Sequence, residues 1–127
     1  MREEIKNWWE QAKHDLKAAK KNLEIKEYYL VAFLSQQAVE KGLKALIMLK
    51  SKERIIPIHS LVKLGKKVNI DKKLLTDLRI LSPEYIITRY PDVVESVPHE
   101  NYDQSIAKDR IKRAERIFKW LNTQIKE

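Results

Sequence analysis

Apolar residues recur at three- and four-residue steps along most of the chain, a periodicity that predicts helices rather than strands. From about Glu3 to Glu24, Ile5, Trp8, Ala12, Leu16, Ala19 and Leu23 form one stripe, while Lys13, Lys17, Lys20 and Lys21 share another face. A second helix, about Lys26 to Ser51, is apolar over most of its circumference (Leu30, Phe33, Leu34, Ala38, Val39, Leu43, Leu46, Ile47, Leu49) and is expected at the centre of the fold. A polar stripe nevertheless crosses it, with Gln37, Lys41 and Lys44 at successive turns and Gln36 and Glu40 beside them. Gly42 lowers helix propensity by ~1 kcal/mol relative to Ala, which points to close approach by a neighbouring helix.

Pro57 breaks the pattern, and His59-Ser60 opens a short third helix to about Val68. Asp71 is expected to cap a fourth, with Leu74, Leu78 and Leu81 inward and Pro83 ending or kinking it. Between Tyr85 and Tyr102 the spacing becomes irregular. Asn101 and Gln104 resemble a capping box for a last helix carrying Ala107, Ile111, Ala114, Phe118, Leu121 and Ile125 inward and Lys108, Lys112, Arg116 and Lys119 on another face. The prediction is all-α: an antiparallel up-and-down bundle of four long helices plus one short helix, forming a single domain over residues 1–127.

Composition sharpens this picture. With only 2 Gly and 4 Pro, the chain has few residues that favour tight turns. With no Cys, disulfides, thiolate metal sites and a cysteine nucleophile are excluded, and a cytoplasmic location is expected. The longest apolar run, Tyr28 to Leu34, is far below the ~20 residues needed to span a bilayer, and the acidic start Met-Arg-Glu-Glu is unlike a signal peptide, so no membrane is expected as a partner. A net charge of +8 fits an acidic partner such as nucleic acid, nucleotide or protein. Equally, the Lys, Glu and Ile richness fits a solvated surface in a heat-adapted protein.

Candidate chemistry centres on Ile86-Ile87-Thr88-Arg89-Tyr90-Pro91-Asp92, because long irregular connections in helical domains often carry function. Arg89 offers a fork for phosphate or carboxylate, Tyr90 can stack on a base, and Asp92 can orient the arginine; the competing reading is an Arg–Asp pair that pins the loop. Of the 3 histidines, His14 is expected on the surface, His59 at a helix start, and His99 exposed in the irregular loop. Their separation gives no metal signature, and no phosphate loop, serine elbow or paired-carboxylate motif is present, so no cofactor is expected. Trp8, Trp9 and Trp120 are expected in core or dimer packing; adjacent Trp8 and Trp9 cannot both face the core line.

Two strings, Gln36-Gln37-Ala38-Val39-Glu40-Lys41-Gly42-Leu43-Lys44-Ala45 and Arg89-Tyr90-Pro91-Asp92, stand in order with an N-terminal Trp, Ala12, Asp15-Leu16, Ala19, His59-Ser60-Leu61, Ala114 and Trp120. Together they resemble the HEPN domain family over essentially the whole chain. The resemblance implies a bundle similar to the substrate-binding domain of aminoglycoside (kanamycin-type) nucleotidyltransferases, homodimerisation, and pairing with a small nucleotidyltransferase. It also implies binding of a nucleotide or other anion. The candidate contacts are Gln37, Lys41, Lys44, Arg89, Tyr90 and Asp92, and the competing reading of the second-helix stripe is a buried polar network that holds the helices in register. Some branches resemble ribonuclease toxins of toxin–antitoxin pairs, marked by an Arg followed four to six residues later by His. Arg54 and His59 fit that spacing but flank Pro57 in a loop, whereas nine residues separate Arg89 from His99. The leading expectation is therefore a non-catalytic binding module. The alternatives are a metal-independent ribonuclease acting on RNA through His59 or His99 with Arg54 or Arg89, and a purely structural homodimer.

Overall fold

A computed structural model describes residues 1–54 and 56–126, with the backbone alone at Val93 and Val94. Its helices are α1 (Glu3–Glu24), α2 (Tyr28–Lys50), α3 (Leu61–Lys67), α4 (Leu75–Leu81), α5 (Glu84–Ile87), α6 (Pro91–Val94) and α7 (Gln104–Gln124), with 3₁₀ turns at Lys72–Leu74 and Pro98–Asn101. Among the described residues there is no strand, as the periodicity predicts.

The direction of each helix follows from who touches whom. Lys41 meets Asp15, and a Cβ on Gly42 would meet Trp9 and Ala12, so α1 and α2 form an antiparallel hairpin. Ala19, Val31, Ala107 and Ile111 cluster at one end, while Trp9 stacks on Phe118 (5.4 Å between centroids) towards the other; α7 is therefore parallel to α2 and antiparallel to α1. Asp77 bonds to Arg113 and Arg116 whereas Glu84 reaches back to Arg110, which sets the α4–α5 segment antiparallel to α7. The result is the up-and-down bundle, with α2 inside. Of the helices predicted to be long, α1, α2 and α7 run 22, 23 and 21 residues. The fourth divides into the 3₁₀ turn and the 7-residue α4, which stops short of Pro83, where the chain lacks a further backbone donor.

Local chemistry sets the boundaries. Ser60 caps α3 by accepting from the Lys63 N–H, and Asp71 accepts from that of Lys73, as the sequence predicts. The cap of α7 is Asp103, not Asn101: Asp103 Oδ1 accepts from Ile106 N at 2.8 Å, while the Asn101 amide turns back to Ser96 and Val97. Glycine is too scarce to fill the left-handed turn positions, so Lys26 (φ 63°), Asn69 (φ 52°) and Glu95 (φ 53°) occupy them. Gly42 has the predicted role: a Cβ there would lie 2.7 Å from Leu121 Cδ1.

One core assignment changes. Trp9 is fully buried while Trp8 is 36% exposed, because the inward line is Ile5, Trp9, Ala12, Ala19 rather than the one passing through Trp8. Around Trp9 the core collects Leu43, Leu46, Leu61, Leu64, Leu78, Leu81, Ile117 and Leu121, each worth roughly 1.5–3 kcal/mol of burial. Among the described residues no helix is long and apolar enough to cross a membrane.

Candidate functional site

The polar stripe of α2 folds into a chain of interactions that ends at the surface. Gln37 donates to Gln36 Oε1 (2.7 Å), Gln36 donates to Glu40 Oε1 (2.9 Å), and Lys44 donates to Glu40 Oε2 (3.0 Å). Gln36, Glu40 and Lys44 are buried, so the carboxylate is matched by a cation and an amide donor rather than by water. Glu40 Oε2 also lies 3.1 Å from His59 Nδ1. A carboxylate can only accept, so the proton sits on Nδ1 and Nε2 is left for other partners.

The His59 side chain is 51% exposed and lies flat on Tyr85, with 4.4 Å between centroids and 11° between planes. Tyr85 carries a second group: the Arg89 guanidinium carbon is 4.6 Å from its centroid, and 5.1 Å from that of Tyr90. Arg89 Nη2 donates to the Tyr90 hydroxyl at 3.0 Å. The hydrogen bond to Tyr85, then the proximity of Tyr90, holds the Arg89 guanidinium above its ordinary pKa, so it is a permanent cation. Arg89 and Tyr90 are exposed, and beside them His59, Tyr85 and Ile86 line a cleft of about 300 Å³ with Ser60, Ser82 and Pro83. The hydroxyls of Ser60 and Ser82 are occupied by the backbone of Lys63 and Leu61, which fixes the cleft walls.

The structure thus gathers Arg89, Tyr90 and His59 around Tyr85, and connects Lys44 and Gln37 to His59 from behind through Glu40. Lys41 takes another direction and donates to Asp15 Oδ2 at 2.5 Å, with Gln11 on the other carboxylate oxygen. Asp92 is exposed, but among the described residues no bond joins it to Arg89; the tyrosines position the guanidinium instead. His99 is exposed in the Pro98–Asn101 turn and tilts against Tyr29 at 6.4 Å. Arg54 pairs with Glu4, and Ile55, within the Arg54–His59 stretch, lies outside the described residues. Among the described residues no group of three or more His, Asp or Glu is placed to hold a metal.

Sequence reasoning missed Tyr85, the platform on which the cluster rests. Its only signal is spacing: Tyr85 and Arg89 are four residues apart, one helical turn.

A second charged cluster lies between α4, α5 and α7. Asp77 is buried and accepts from Arg113 Nη1 (2.9 Å), Arg116 Nε (3.0 Å) and Arg116 Nη2 (2.8 Å). Burial alone would raise its pKa; the bonds and charges of Arg116 and Arg113 outweigh it and hold the carboxyl below its ordinary range. Glu84, also buried, accepts from Arg110 Nε (2.8 Å) and the Tyr102 hydroxyl (2.5 Å). Burial first, then the bond to Glu84, pushes the Tyr102 pKa far above its ordinary value.

Comparison with known proteins agrees with this architecture. The model of the HEPN domain matches residues 5–124. The crystal structure of ST0689, an archaeal HEPN homologue, is 35% identical and superposes with a TM-score of 0.83 over 99% of this chain and 100% of that one. The crystal structure of TT1696 from Thermus thermophilus is 26% identical, with a TM-score of 0.89 over 98% of this chain and 100% of that one. A comparison with curated proteins gives no match.

Proposed function

The chain belongs to the HEPN domain family, and from that premise we propose that it is a non-catalytic module that binds a nucleotide or other anionic ligand beside a small nucleotidyltransferase. One observation carries the ligand: an exposed guanidinium, oriented by Tyr85 and Tyr90, shares the Tyr85 ring with an exposed imidazole stacked on it. The cation suits a phosphate, and the flat faces of His59 and Tyr90 suit a base. Glu40, Lys44 and Gln36 support the site from behind and do not contact ligand. The nucleotidyltransferase partner rests on the family resemblance; half-exposed Trp8 supports a homodimer in the same assembly.

The test is a thermal melt of the purified chain against a panel of nucleotides. One nucleotide is expected to raise the midpoint in the native chain and leave Arg89→Ala unmoved. A panel that moves neither protein sinks the proposal.

A second reading draws on one specific contact. The Glu40–His59 pair fixes the imidazole tautomer and leaves Nε2 as a base, while Arg89 supplies a phosphate clamp, the parts of a metal-independent ribonuclease. Against it, Glu40 is already neutralised by Lys44, which weakens its support for an imidazolium. RNA cleavage that survives chelator and disappears in His59→Ala would select this reading over the first.

A further inference from the structure

A second surface feature lies apart from the His59–Tyr85–Arg89 cluster and has no part in the function above. Between the Lys72–Leu74 turn and the C-terminal half of α7, Leu74 and half-buried Trp120 lie among Asp71, Lys73, Arg116 and Lys119 in a cleft of about 460 Å³. Both apolar side chains also pack against the main core, so their positions are fixed from beneath.

Arg116 is equally fixed. Its Nε and Nη2 are held by the buried Asp77 carboxylate, which does not use Nη1, and its side chain stays 52% exposed. A guanidinium anchored in this way loses little freedom when a second anion arrives. Among the described residues Lys73 and Lys119 have no ion-pair partner, and Asp71 supplies the cleft's single carboxylate. An apolar floor is thus edged by three cations and one anion.

We propose that this cleft docks an acidic segment of a partner protein through an apolar anchor side chain. Trp and Arg at the centre of a patch, with long flexible cations at its rim, are the composition of an interaction hot spot. The walls are lysine side chains that cannot enclose a small ligand, which disfavours a metabolite. A second copy of a chain of net charge +8 would bring the same cations against these. A nucleic acid would find one ring, a leucine that offers no stacking face, and the Asp71 carboxylate.

The test uses the full chain and a fluorescein-labelled peptide, Glu-Glu-Leu-Phe-Glu-Glu, followed by anisotropy at low salt. The native chain is expected to bind it, and a peptide with Ser at both apolar positions to bind about tenfold more weakly. Lys119→Glu, on an exposed side chain, is expected to keep the fold and lose about tenfold in affinity. Trp120→Ala is expected to lose at least as much, and Arg89→Ala nothing. The proposal is overturned if the native chain binds neither peptide, if both bind equally, or if Lys119→Glu binds as the native chain does. Stronger binding of a single-stranded oligonucleotide, with displacement of the peptide, overturns it in favour of nucleic acid.

Discussion

The Asp77–Glu84 cluster and the His59–Arg89 cluster are built from the same materials, carboxylates, cations and tyrosines, but end in opposite conditions. In the first, each buried carboxylate is met by two donor residues, and Tyr102 spends its hydroxyl on Glu84. In the second, the carboxylate is buried while the groups in front of it, His59, Arg89 and Tyr90, face water. The lesson is that density of charge does not mark a site. What matters is which charges the fold leaves unmatched: the arginines of α7 hold helices together, while Arg89 rests on rings that do not neutralise it.

The largest expected effect lies in the closed cluster. Asp77→Ala strands Arg116 and leaves Arg113 with Asp109 alone, and should cost about 2 kcal/mol in urea unfolding, less than for a fully enclosed pair because the guanidiniums regain water. It should leave ligand binding at the Arg89 site unchanged; a binding defect would erase the distinction between the two regions.

The same carboxylate predicts a pH dependence. Its pKa is depressed in the folded state, so the unfolded chain binds the proton more readily. The stabilisation is therefore complete above the ordinary carboxylate range and fades as pH falls through the folded value. The stability gap between the native chain and Asp77→Asn should be constant near neutrality and close in acid. A gap that widens in acid would contradict the assignment.

Glu40 belongs to both kinds of region, buried behind and functional in front. Glu40→Gln should cost about 1 kcal/mol by leaving Lys44 without its counter-charge, and should also free the His59 ring from its tautomer. A weakened ligand response would join the two effects, whereas an unchanged one would make Glu40 purely structural. The smallest stability effect is expected for Arg89→Ala, whose melting midpoint in the absence of ligand should match the native chain while the nucleotide-induced shift is lost. A lowered midpoint without ligand would move Arg89 into the structural class.

Much of the fold was legible because helix periodicity repeats over many turns. The inner lines of α1, α2 and α7, the Ser60 and Asp71 caps and the close approach at Gly42 all rest on local spacing or on a residue's intrinsic conformational cost. Trp8 and Trp9 mark the limit of that reading. Both fit an apolar stripe, and the choice between them turns on about a quarter-turn of helix rotation, set by the stacking of Trp9 on Phe118 and its approach to Gly42. The cluster was half legible. Arg89, Tyr90 and His59 were singled out by type, but the sequence left open whether His59 goes with Arg54 or with Arg89, because nothing in it places Tyr85 between His59 and Arg89.

The helical class, the central place of α2, the residues able to bear chemistry and the HEPN resemblance can all be read from the chain alone, since each is written in short-range spacing or in strings of adjacent residues. Which of those residues are paired off and which stay open is settled by how the helices pack. Lys41 goes to Asp15, Lys44 to Glu40, and three arginines of α7 to Asp77 and Glu84, while Arg89 and His59, 30 residues apart in the chain, each rest on the Tyr85 ring. The physical reason is that pairing of charges depends on distance and burial, and both are fixed by packing of segments far apart in sequence.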